Sequence, residues 1–104
     1  MTMGIYPKFI LTSDGHLRLG MVNMHRDLLN PDDHCIGGGY YHIEVSSMRL
    51  VLDRESYDYG SPQWSRVSRL IVPRDYEGLQ IVYLSSSWPY EEINIASILP
   101  ICYE

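Results

Sequence analysis

The sequence predicts a mainly β domain with little helix, on three observations. Residues Cys35 to Asp53 read as a hairpin with a single self-consistent register. Residues Pro7 to Val22 read as a second hairpin. Leu79 to Leu84 is an apolar run of strand length, as expected of a strand buried on both faces. These pieces suggest antiparallel hairpins joined into a curled sheet, small barrel or sandwich, with one or two short helical turns. A chain of 104 residues fits one domain, 1–104, with a modest core.

In the first hairpin the turn holds Ser13-Asp14-Gly15. A two-residue loop would set Leu11 against Arg18 and mix the faces. A three-residue loop, with Gly15 left-handed, sets Leu11 against Leu17 and Phe9 against Leu19. It collects Phe9, Leu11, Leu17, Leu19 and Met21 on one apolar face and is the register expected. Asn23 to Asn30 then suits one helical turn with Asn23 as N-cap, stopped before Pro31.

Gly37-Gly38-Gly39 opens the central hairpin, where glycines allow positive φ or the close approach of another backbone. With the turn centred on Ser46-Ser47, Val45 faces Met48, Ile43 faces Leu50 and Tyr41 faces Leu52. The other face then carries Tyr40, His42 and Glu44 opposite Asp53, Val51 and Arg49. A slip of one residue would mix polar and apolar side chains on both faces.

Arg54 to Gly60 reads as a polar, aromatic loop. Ser61-Pro62 resembles a helix N-cap followed by proline at the first helical position, with Trp64 packing that turn onto the sheet. Val67 to Val72 reads as a strand stopped by Pro73, and Ser85 to Pro89 breaks the pattern after the apolar strand. From Tyr90 to Tyr103, Ile93 and Ile95 alternate as in a strand, whereas Ile95, Ile98 and Leu99 fit a helix. Strand is expected, because β-branched residues favour it.

A net charge of −5, with one lysine and scattered arginines, argues against nonspecific nucleic-acid binding. There is no apolar run of membrane-spanning length, so no membrane is expected. The first eleven residues lack the pattern of a secretory signal, and Cys35 and Cys102 are too few for a disulfide framework. A cytoplasmic protein with two free, buried thiols is expected.

Catalytic and metal motifs are weak. The glycine run precedes a strand instead of following one, so it is no phosphate loop. Neighbouring acids such as Glu91-Glu92 would point to opposite faces of a strand. His25, His34 and Cys35, with His42 beyond them, supply metal-ligating residue types in no recurring spacing, and no cofactor is expected. Cys35 with His42 or His25 composes a nucleophile and base only on paper. A surface of Tyr40, Tyr57, Tyr59 and Trp64 rimmed by Arg49 and Arg54 is the stronger pattern, since aromatics and arginine anchor protein interfaces. The expected function is a small non-catalytic protein-binding or adaptor module, with a protein partner or a homo-oligomer. The alternative is a metal- or cysteine-dependent enzyme using the His25/His34/Cys35/His42 region.

Overall fold

A computed structural model describes residues 4–54, 56, 58–85 and 89–104. It contains strands β1 (Tyr6–Thr12), β2 (Leu17–Val22), β3 (Cys35–Glu44), β4 (Arg49–Asp53), β5 (Leu70–Val72), β6 (Gln80–Leu84), β7 (Glu92–Asn94) and β8 (Ile101–Tyr103). Helix among the described residues is confined to single 3₁₀ turns at His25–Leu28, Val45–Ser47, Trp64–Arg66, Arg74–Tyr76 and Ile95–Ser97. A six-stranded sheet runs in the order β2-β1-β3-β4-β6-β7, and β5 and β8 form a second, two-stranded sheet. No helix among the described residues is long and apolar enough to cross a membrane.

Both hairpins adopt the registers their faces demand. Leu11 stands opposite Leu17 and Phe9 opposite Leu19, with Gly15 at φ 94° in the turn, where a Cβ would be strained. In the central hairpin Ile43 faces Leu50, Tyr41 faces Leu52 and Glu44 faces Arg49. The expected Val45–Met48 pair does not form: the ladder ends at Glu44 opposite Arg49, and Val45 and Met48 lie exposed in a 3₁₀ turn closed by Met48 in the left-handed region.

β1 joins the hairpins by pairing antiparallel with β3, from Leu11 opposite Gly37 to Lys8 opposite Tyr40. The ladder ends there because the next residue, Pro7, has no N–H to donate. The glycines are needed for closeness. A Cβ on Gly37 would lie 2.3 Å from Cα of Pro62, and one on Gly39 would lie 2.2 Å from the Arg54 carbonyl oxygen.

The hairpin pattern did not reveal that β4 pairs with β6 in parallel, or that β5 pairs with β8 in parallel. Parallel neighbours need a long crossover, and residues 54–79 supply it. That crossover carries β5, which with β8 and the turn at Trp64 covers one face of the large sheet. Phe9, Leu50, Leu52 and Ile81 from the sheet pack there against Trp64 and Leu70, all in one buried cluster.

Several local expectations are corrected. The first 3₁₀ turn is flanked by Met24 and not Asn23, because the Asp27 carboxylate accepts the Met24 N–H at 3.1 Å. Ser61-Pro62 does not open a helix. Gln63 N–H instead donates to the Ile36 carbonyl at 3.2 Å, so the turn starts only at Trp64. β5 is shorter than the predicted strand, beginning at Leu70. The last segment divides between its two patterns: strands β7 and β8 flank a 3₁₀ turn at Ile95–Ser97. Both cysteines are free, but Cys102 is exposed, because Ile101 and Tyr103 on either side of it turn toward the core.

Candidate functional site

The residues singled out as catalytic or metal-ligating do not converge. His25 sits on the first 3₁₀ turn, 92% buried by its relative exposure of 8%. Its Nε2 lies 2.7 Å from the Gly39 carbonyl oxygen, and a carbonyl only accepts, so Nε2 carries the hydrogen. Burial holds the imidazole below its ordinary pKa, the Gly39 bond opposes this, and nearby Lys8 adds to it. That lysine is itself buried and donates to the Val22, Asn23 and Gly4 carbonyls.

Cys35 is half-buried and its thiol donates to the Gly37 carbonyl at 3.2 Å. Burial pushes that thiol up, the opposite of what an attacking thiolate needs. His34 is exposed. His42 is exposed on β3 between Glu44 at 3.6 Å and Asp53 at 3.8 Å. Among the described residues no group of three metal-ligating side chains comes together.

The aromatic surface is only partly assembled. The rings of Tyr40 and Tyr59 stand steeply inclined to the His25 ring, with centroids 5.3 and 6.3 Å away. Trp64 belongs to the core, its ring 5.5 Å from that of Tyr83, and offers no anchor to a partner. Arg49 lies at the far end of the β3–β4 ladder from Tyr40 and is bonded to Glu44 and Glu92. Arg54 is exposed, at φ 57°. Tyr57 lies outside the described residues.

What the strand pattern did not disclose is an open edge. β2 is the first strand of the sheet, with β1 on one side only. Thr12 N–H donates to the His16 carbonyl at 3.0 Å, which sets the parity of the ladder. Even-numbered residues of β2 bond to β1, so Leu17, Leu19 and Met21 direct their backbone groups outward. β5 takes up this edge only at its start, in a single bridge between His16 and Ile71, with Ile71 N–H donating to the Gly15 carbonyl at 2.8 Å. Pro73 then ends β5 without a donor.

Beyond the bridge the walls part into a groove of about 420 Å³, lined along β2 by His16 to Leu19, by Asp27 and Leu28, and by Ile71 to Pro73 with Glu104. Its polar rim is organised. Arg18 forms an ion pair with Asp33, its Nε 3.0 Å from the carboxylate and its Nη2 donating a hydrogen bond at 3.3 Å. His16 lies 3.1 Å from Asp14, whose carboxyl is lowered to about 2 chiefly by the Thr12 hydroxyl and then by His16. The sequence signal for this edge was the β2 run itself, Leu-Arg-Leu-Gly-Met-Val, with one charge and no proline to blunt it.

No family model, curated protein or solved structure matches the chain.

Proposed function

We propose that the protein is a small non-catalytic binding module that takes an extended segment of a partner protein along the outer edge of β2. The observation that carries this reading is the pair of outward backbone positions at Leu19 and Met21, beyond the His16–Ile71 bridge, beside a preformed groove. Main-chain bonds to such an edge supply affinity, and side-chain pockets beside it supply selectivity. The opposite edge, β7, is three residues long and opens with Glu92, a poorer template. Against an enzyme reading stand the raised Cys35 thiol and the His25 Nε2 held by Gly39. Two free thiols suit a reducing compartment such as the cytoplasm.

The test is selection of peptides from a displayed random library, followed by fluorescence anisotropy on the peptides recovered. Met21→Pro is the diagnostic variant. Met21 lies opposite Pro7 in a pair that makes no ladder bonds, and it is 61% exposed, so proline removes an outward donor with little cost to the fold. Selected peptides should alternate apolar residues and lose binding to Met21→Pro. Recovery of no peptide, or binding indifferent to the variant, overturns the proposal.

A further inference from the structure

We infer that the segment seated on this edge is basic: an extended stretch of a partner protein in which apolar residues alternate with lysine or arginine. This rests on the reading of the β2 edge as the binding site. The two sides of the groove differ in chemistry. Leu17 and Leu19 pack against the core, so Arg18 and Gly20 point to the outer side of the sheet. Leu28 stands 3.0 Å from where a Gly20 Cβ would be, which puts the turn bearing Asp27 on that outer side. Ile71 shares the outer side with its bridge partner His16, and Glu104 Oε2 lies 3.8 Å from His16 Nε2. Both carboxylates that line the groove, Asp27 and Glu104, therefore stand on its outer side. The inner side is apolar, where Leu19 is only partly buried and Met21, two residues on, is 61% exposed.

The charges do not cancel within the groove. Among the described residues lining it, Arg18 is the only arginine or lysine, and it is already paired with Asp33. Asp27 accepts the Met24 N–H, a neutral donor that leaves its charge in place, and the Glu104 side chain is 70% exposed. A segment lying along Leu19 and Met21 turns its side chains alternately inward and outward. Its inward residues cover Leu19 and Met21, and its outward ones meet Asp27 and Glu104. Lysine and arginine suit the outward positions twice over: the aliphatic stem lies along Leu28 or Pro73, and the charged head reaches the carboxylate. Beyond the bridge β2 offers a partner only two main-chain positions, so side-chain charge decides which segment is chosen. A second copy of this chain is a poor occupant, being itself at −5 with its one lysine, Lys8, buried.

Fluorescence anisotropy with short labelled peptides tests this, valine alternating with lysine, with glutamine or with glutamate. The lysine peptide should bind most tightly, the glutamine peptide several-fold more weakly, and the glutamate peptide most weakly. Asp27→Asn keeps an oxygen for the Met24 N–H, and Glu104→Gln is conservative at an exposed side chain. Each should weaken binding of the lysine peptide roughly two- to fivefold. Glu91→Gln, beside β7 at the opposite edge of the sheet, removes the same charge and should leave binding unchanged. Equal affinity for the three peptides, or equal loss in all three variants, overturns the inference. If the glutamine peptide binds as well as the lysine peptide and Met21→Pro abolishes both, the basic preference is wrong and the edge reading stands. If no peptide binds, both fall. A two-chain mass in sedimentation velocity that Met21→Pro abolishes would name a second copy as the occupant and overturn the inference. Far-ultraviolet circular dichroism of each variant separates loss of binding from loss of fold.

Discussion

Arg49 on β4 reaches across β6 to Glu92 on β7, with Nη1 2.6 Å from Oε1, while its Nε holds Glu44 on β3 at 2.8 Å. One guanidinium thus ties together strands from both sides of the sheet's parallel pair.

Glu44 should make acid stability measurable. Its hydrogen bond from Arg49, then the one from Ser47, holds its carboxyl below the usual 4.5. A carboxylate with a depressed folded pKa contributes stability that is present above the unfolded value and is lost as pH falls through the folded one. Glu44→Gln should therefore melt below the wild type at neutral pH, and the gap should close well below pH 4.5. A gap that persists in strong acid would show that the charge is not what matters. Salt should narrow the neutral-pH gap as well, because the pair is open to solvent.

Gly39→Ala should be among the most damaging single-methyl changes in the chain. The added carbon would lie 2.2 Å from the Arg54 carbonyl oxygen and 2.7 Å from that of Asp53, and backbone cannot step aside as a side-chain tip can. A loss of about 3 kcal/mol in urea unfolding is expected, the upper end for overpacking. Gly78→Ala meets nothing within 4 Å and has only its φ of 94° to oppose it, so about 1 kcal/mol is expected there.

The two thiols should react in an order that argues against nucleophilic catalysis. Cys102 is exposed, whereas Cys35 is half-buried with its thiol pushed up. Iodoacetamide under native conditions, read by intact mass and peptide mapping, should label Cys102 first. Faster labelling of Cys35 would return the cysteine-dependent enzyme to consideration.

Trp64→Ala should cost about 3–5 kcal/mol, as emptying a large core site does. Its ring contact with Tyr83 of β6 places it where the covering layer packs on the sheet, and it does not line the groove beside β2. Peptide binding by the fraction that remains folded should be unchanged. An equal loss of affinity and stability would put Trp64 at the interface after all.

The hairpins were legible because their information is local. Alternation fixes which side chains share a face, and only one loop length keeps Leu11 opposite Leu17. Strand direction is not written in alternation, so Leu50 opposite Ile81 in a parallel pair left no trace in either segment alone. Trp64 carried two readings, core packing and surface anchor, and only the crossover path decides between them. The groove was hidden for a related reason. It exists because β5 departs from β2 after one bridge, a relation between residues 16 and 71 that no local pattern records.

The same long-range pairing shapes how the chain reaches its folded state. β1–β2 and β3–β4 close over short loops and can zip early, whereas Leu70 must find Ile101 with thirty intervening residues still free. The layer that covers the core is therefore assembled late. Until it docks, Phe9 and Leu50 are shielded by little more than their own sheet. Weakening the β5–β8 pair should act mainly on the rate at which the protein opens and only slightly on the rate at which it forms.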